Sequence, residues 1–405
     1  MTKAAEIATC EVCAARELSP VLDLGEQPLC DDLIPVGSSR ESEVFPIDIL
    51  YCRQCRTAHQ RYQVPKLRLF PKTYHYRPRF TADVLSGMDR LVASAEAQLG
   101  SLADCTVLDV GCNDGSLLDK FAARGAKTVG VEPTGAYEEA LGRGHAIFND
   151  FFSEDSARRI RQEHPRIDII TFTNVFAHIE DLPALLRALE LVMSDDTTLI
   201  IENHYLGAVL AKNQFDTFYH EHPRTYSLTS FVHIARNLDR AVTAVEFPSR
   251  YGGNIRVTIR KPGNPSTAAP PLMDETLQRE AQFFDEFAAM RSFVATWRRE
   301  KRAEIQRLVE DGGPLSAKAF PGRAAILVTL LELSEREIEC VYEKPGSLKI
   351  DHYAPGTRIP IRSDEELFDR FDTIGTILNL AWHIPTEIES YLRTAGYRGR
   401  IVQIV

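Results

Sequence analysis

Residues 106–132 read Thr106-Val-Leu-Asp-Val-Gly-Cys-Asn-Asp-Gly-Ser-Leu-Leu-Asp-Lys-Phe-Ala-Ala-Arg-Gly-Ala-Lys-Thr-Val-Gly-Val-Glu132. The run Thr106 to Val110 has the length and apolar character of a buried strand, and Gly111 to Gly115 reads as a turn. Ser116 to Arg124 then repeats its apolar residues at helical spacing, and Thr128 to Glu132 is a second strand ending in a carboxylate. Strand, glycine turn, helix and strand predict a parallel sheet flanked by helices. In such sheets a ligand lies across the C-terminal ends of the strands, where glycine lets it approach the backbone and an acid after the second strand accepts ribose hydroxyls. Asp109, Gly111, Asn113, Asp114, Gly115 and Glu132 are therefore the candidate cofactor residues.

The turn lacks the glycine triplet that brings a helix N-terminus against a pyrophosphate. An acid before it and the Asn113-Asp114 pair inside it favour a cationic, phosphate-free ligand, because a carboxylate attracts ammonium and sulfonium groups and repels phosphate. S-adenosylmethionine is such a ligand. Farther on, Asn149-Asp-Phe-Phe152 falls after a third strand, where Asp150 could bind the adenine amine and Phe151 pack on its face; core packing is the equal alternative for the two phenylalanines. A fourth strand, Ile167 to Phe172, leads into Thr173-Asn-Val-Phe-Ala-His-Ile-Glu-Asp181. A fifth, Thr197 to Glu202, ends in Glu202-Asn-His204. After it comes the richest cluster, Phe215-Asp-Thr-Phe-Tyr-His-Glu-His-Pro-Arg-Thr-Tyr226. Four adjacent proton carriers, Tyr219, His220, Glu221 and His222, point to function, since buried polar groups are costly unless matched or used. Arg240 to Phe247 and Asn254 to Ile259, joined at Tyr251-Gly-Gly253, predict an antiparallel hairpin closing the sheet.

Outside this core, five of the eight cysteines fall within the first 55 residues. Cys10-Glu-Val-Cys13 and Cys52-Arg-Gln-Cys55 form two Cys-x-x-Cys knuckles, the spacing with which four thiolates close a tetrahedron around Zn2+. Four thiolates leave no place for a reacting water, so the metal is assigned to folding. Cys30 and His59 lie close enough in sequence to replace one ligand, although a buried thiol and a surface imidazole are the preferred readings.

At 405 residues the chain is too long for one ordinary core. Its 44% hydrophobic and 26% charged content belongs to a globular protein. No run approaches the roughly 18 apolar residues of a membrane span, and no secretory signal precedes Glu11, so a cytoplasmic location is expected. A formal charge of -10 argues against nucleic acid as a partner. The run Arg298-Arg-Glu-Lys-Arg302 reads as a solvated helix face.

On Cys10/Cys13 with Cys52/Cys55, Asp109 to Gly115, Asn174 with His178, Tyr219-His-Glu-His222, Tyr251-Gly-Gly-Asn254 and Pro355-Gly-Thr-Arg-Ile-Pro-Ile361, nearly the whole chain resembles the nucleotide-sugar C-methyltransferases of deoxysugar biosynthesis. The resemblance implies an α/β protein of three parts: a small zinc-binding domain (1–66), a class I S-adenosylmethionine-dependent methyltransferase domain of Rossmann-like fold (67–262), and a second Rossmann-like domain that binds substrate (263–405). It implies a nucleotide-linked sugar as substrate, no membrane partner, and a monomer or homodimer. It also implies His222 as the base that removes a proton beside a 4-keto group, commonly at C3, so that the resulting enolate attacks the sulfonium methyl. Tyr219 or His178 would hydrogen-bond the enolate oxygen, and Glu221 would orient the imidazole or hold a sugar hydroxyl. Tyr76, Asn174 and His220 complete the implied substrate pocket.

Two segments depart from the family pattern. Ala317-Lys-Ala-Phe-Pro-Gly-Arg-Ala-Ala325 keeps only fragments of a glycine-rich turn, and Arg77-Pro-Arg79 places positive charge where serines and a glycine are usual. Those two arginines suit either a pyrophosphate or a surface turn. His383 stands where asparagine is usual and reads first as a core or interface residue. Pro262 to Pro271 reads as a linker, and Glu275 to Glu310 as one or two long helices. The same base acting on a hydroxyl or amine, an O- or N-methyltransferase, is the alternative activity, and a fold that has lost catalysis is the other.

Overall fold

A computed structural model describes residues 4–70, 77–80, 82–262 and 271–405. Tyr76 and the linker expected before Pro271 lie outside the described residues, apart from the linker's first residue and last. The chain forms two compact units, one of Met1–Pro20, Leu50–Lys212 and Glu221–Phe284, the other of Val21–Ile49, Asn213–His220 and Asp285–Val405.

In the first unit a seven-stranded sheet runs in the order Ala241–Glu246, Asn254–Arg260, Thr198–His204, Ile169–Thr173, Thr106–Val110, Lys127–Val131, Ala146–Phe148. Its neighbours are parallel except at Asn254–Arg260, which runs antiparallel to both Thr198–His204 and Ala241–Glu246. The predicted strand–turn–helix is present, with its helix over Ser116–Ala122. The hairpin also forms, and its second strand, Asn254–Arg260, pairs with the fifth strand while Ala241–Glu246 lies at the sheet edge.

The sheet is covered by helices because its strands are apolar on both faces: Val107, Leu108, Ile169, Ile170, Leu199 and Ile201 are all fully buried. Helix Ala82–Leu99 places Val84, Met88, Leu91, Val92 and Ala95 against Val107, Phe121, Ile169 and Ile200. Each such Leu, Val or Ile contributes roughly 1.5–3 kcal/mol. Parallel register puts the C-terminal ends of four consecutive strands on one edge, where Val110, Val131, Thr173 and His204 lead into the loops that carry the candidate residues.

In the second unit five parallel strands run in the order Ile361–Ser363, Ile338–Glu343, Leu315–Lys318, Thr376–Asn379, Arg400–Gln403. This is the second Rossmann-like sheet expected from the sequence. At the end of its central strand, buried Lys318 reaches both oxygens of buried Asp364, at 2.8 and 2.9 Å, and Tyr391 donates to the same carboxylate at 2.8 Å. The long helical stretch resolves into Pro271–Glu280 and Phe283–Gly312. Among the described residues no helix is long and apolar enough to cross a membrane.

Candidate active site and metal centre

The cofactor loop is held by its own polar groups. Gly111 takes φ +73°, and a Cβ there would meet Val175 Cγ2 at 2.6 Å, so both backbone and space require glycine. Asn113 also adopts positive φ, at 51°, a conformation that asparagine tolerates. Its N–H donates to Glu132 Oε2 at 2.9 Å, while Thr134 donates to Glu132 Oε1 through N–H at 2.8 Å and hydroxyl at 2.5 Å. Glu132 therefore ties the loop to the neighbouring strand. Asp114 turns inward to accept from Ser116 N–H at 3.1 Å and Ser116 Oγ at 2.6 Å.

Asp109, on the strand before the loop, is buried and accepts from Thr171 Oγ1 at 2.7 Å. Burial pushes its carboxyl up to about 7, against the pull of that hydrogen bond. Burial likewise raises Glu132. Three carboxyls gathered at the strand ends, without any phosphate-binding glycine triplet, form a donor set suited to the ammonium, sulfonium and ribose groups of S-adenosylmethionine. Arg77 and Arg79 both reach Glu139, the first at 2.8 Å, and Arg79 lies 3.6 Å from Asp114. Asp150 caps its own turn through Phe151 N–H and bridges Arg159 at 2.5 Å. Phe151 lies under the Lys66 ammonium, 4.6 Å from ring centroid to Nζ.

Past the fourth strand, Asn174 turns the chain at φ 54°, and its N–H donates to the Glu202 carbonyl at 2.7 Å. The short helical turn Phe176–His178 follows. His178 stands edge-on to His222, with ring centroids 4.8 Å apart at 87°, and its Nδ1 is 3.9 Å from Glu221 Oε2. Burial, with His222 alongside, holds His178 well below the usual imidazole range. Glu221 and His222 are themselves buried. His204 carries no role in the sequence reading, yet its ring lies 5.0 Å from that of His222. Its only signal was its place at the end of the fifth strand.

Beside this trio the buried Glu202 carboxylate accepts from Asn254 Nδ2 at 3.0 Å and Arg256 Nε at 2.8 Å, with Arg250 Nε at 3.3 Å. Asn254 also donates to Asn174 Oδ1 at 3.2 Å. The motif residues Asn174 and Asn254 thus meet directly, beside a buried ion cluster. Tyr219 and His220 belong to the second unit, where His220 is buried with Nε2 3.0 Å from the Phe45 carbonyl oxygen.

Also in the first unit, the ligand atoms of Cys10, Cys13, Cys52 and Cys55 lie within 4.8 Å of one another. Sγ atoms are 3.3 Å apart for Cys10 and Cys55 and 3.5 Å for Cys13 and Cys52. A tetrahedral zinc with bonds of about 2.3 Å separates its sulfurs by about 3.8 Å, so the cluster fits the ion with a small expansion. His59 is not the surface imidazole expected: its strand pairs with Arg224 and buries it completely, with Nε2 3.3 Å from Cys10 Sγ, beside the tetrahedron, while Cys30 belongs to the other unit.

The sheet order, the carboxylate-lined glycine loop and the thiolate cluster define a class I S-adenosylmethionine-dependent methyltransferase with a structural zinc. Family models agree along the chain, with a zinc binding domain matching residues 10–70 and a methyltransferase domain matching residues 74–245. More particularly, residues 249–405 match the C-methyltransferase C-terminal domain. It is 27% identical to C-methyltransferase NovU of Streptomyces niveus over 94% of this chain and 90% of that one. A ubiquinone biosynthesis O-methyltransferase of Serratia proteamaculans is 32% identical over 22% of this chain and 38% of its own length. Among solved structures, magnesium protoporphyrin IX methyltransferase from Synechocystis with bound S-adenosylmethionine aligns at TM-score 0.33 and 16% identity, over 44% of this chain and 79% of that one.

Proposed function

We propose that the enzyme methylates the carbon next to a ketone, C3 of a 4-keto sugar, on a nucleotide-linked deoxysugar. The contact between partly buried His178 and buried His222 carries this proposal. One imidazole can accept a carbon-bound proton, and a second beside it, kept uncharged by burial as His178 is, can donate to the oxygen on which negative charge develops. His222 takes the proton from the carbon, and His178 donates a hydrogen bond to the enolate oxygen. Glu221, within 4 Å of His178, orients that ring or receives a sugar hydroxyl, and Tyr219, Tyr76, Asn174 and His220 retain their proposed substrate roles. S-adenosylmethionine supplies the electrophilic methyl group when bound, held by Asp109, Asp114 and Glu132. The similarity to C-methyltransferase NovU along nearly the whole chain favours carbon over oxygen as acceptor, because the O-methyltransferases match only a short segment.

The test is mass spectrometry of the purified protein with S-adenosylmethionine and a panel of nucleotide-linked keto-sugars. Addition of one methyl that NMR of the 13C-methyl-labelled product places on carbon supports the proposal. A methyl placed on oxygen, or transfer only to an amine, overturns it.

A further inference from the structure

Arg224 lies two residues past His222 and is completely buried. Its Nη1 is 2.5 Å from Glu11 Oε2 and 3.2 Å from the Glu180 carbonyl oxygen, its Nη2 donates to the Ile179 carbonyl, and its Nε donates to the Tyr226 hydroxyl at 2.9 Å. Glu11 sits inside the first knuckle, between Cys10 and Cys13. Ile179 and Glu180 directly follow His178. One guanidinium thus joins the metal centre to both imidazole-bearing segments.

The backbone makes the same connection. Arg224 pairs with His59 and Thr225 with Ala58 in an antiparallel ladder, and Gln60 N–H donates to the Pro223 carbonyl at 2.8 Å. Ser230 Oγ donates to the Cys55 carbonyl at 3.1 Å and Asn237 Nδ2 to the Val12 carbonyl at 2.9 Å, fixing both knuckles to the helix that follows. Glu11 accepts from Gln63 Nε2 at 2.7 Å as well.

Burying a guanidinium costs several kcal/mol unless its donors are satisfied, and an apolar side chain of similar volume would hold a fold as well. What arginine adds is geometry: a rigid planar fork that fixes several acceptors at once. We propose that Arg224 is a positioning residue for methyl transfer, anchored on Glu11 of the zinc knuckle and holding the His178 segment against His222. The proposal rests on His222 as the base. Zinc acts on the site through this link, because Cys10 and Cys13 fix the backbone of Glu11 when the metal is bound.

The test uses the full-length protein with Arg224→Lys and, separately, Glu11→Gln. Zinc content and S-adenosylhomocysteine affinity stay within about twofold, while kcat falls about ten- to hundredfold with KM changed less than about threefold, as expected when reacting groups are misplaced. The imidazole nitrogen resonances of His178 and His222 move in both variants. Unmoved resonances with retained kcat overturn the proposal, as does loss of zinc or cofactor binding in step with turnover, which marks a purely structural residue. Should Arg224→Lys fail to fold, Glu11→Gln decides alone. If His222→Asn proves fully active, the base assignment fails, while the His178 resonance still reports whether Arg224 positions that ring.

Discussion

His178 and His222, 44 residues apart in sequence, meet edge to face with ring centroids 4.8 Å apart. One follows the fourth strand of the sheet and the other a loop beyond the fifth, so their contact is a product of parallel strand order. His204, at the end of the fifth strand itself, closes the group from the side of His222.

Replacing His222 by Asn is expected to slow methyl transfer by about two to four decades, the range for a general base, with S-adenosylhomocysteine affinity preserved. Single-turnover kinetics and calorimetry on one preparation check this; near-normal turnover would reject the role.

Gly111→Ala places a methyl group 2.6 Å from Val175 Cγ2 at a backbone angle of +73°. A destabilisation of about 1–3 kcal/mol follows from strain and crowding, together with weakened cofactor binding. Urea unfolding and calorimetry measure the two, and a fully stable variant with native affinity would contradict the loop geometry.

Cys52→Ser removes one of four zinc ligands. Zinc stoichiometry should drop and the thermal midpoint fall by at least about 5 °C, since each kcal/mol moves a domain of this size by about 2–4 °C. Metal analysis beside a thermal melt checks both; an unchanged midpoint in a zinc-free variant would show that the ion is not structural.

Burial pushes His220 from 6.5 down to about 4, against a weaker opposing pull from the Phe45 carbonyl. Between those values the unfolded chain binds a proton that the folded one does not, so stability rises with pH across that window and is fully present above 6.5. About 3 kcal/mol is at stake. Denaturant titrations at pH 4.5 and 7 should differ less in His220→Asn than in the parent; equal slopes in both would remove this histidine from the acid response.

Lys318→Met leaves Asp364 as an uncompensated buried charge, which costs about 3–5 kcal/mol, whereas Lys318→Met with Asp364→Leu should recover most of the loss. Chemical unfolding of the single and double variants tests this, and additive losses would contradict it.

Local patterns gave away much of this molecule. Strand Thr106–Val110, the turn at Gly111 and the two cysteine knuckles depend on short-range periodicity, backbone freedom at glycine and thiolate spacing, all of which are written within a few residues. The hairpin Ala241–Glu246 with Asn254–Arg260 was equally legible, but not its insertion beside the fifth strand, because sheet order follows from how helices pack and not from any one segment. For the same reason the sequence marked Tyr219 to His222 as a unit, whereas the fold assigns Tyr219 and His220 to one compact body and Glu221 and His222 to the other. His204 beside His222, Glu11 on Arg224 and Lys318 on Asp364 are pairs between distant positions. The linear chain determined which chemical groups were available and which short elements they would ride on. Only tertiary packing decided which of them share a dry environment, because burial and charge pairing depend on neighbours that the chain brings together after long loops have closed.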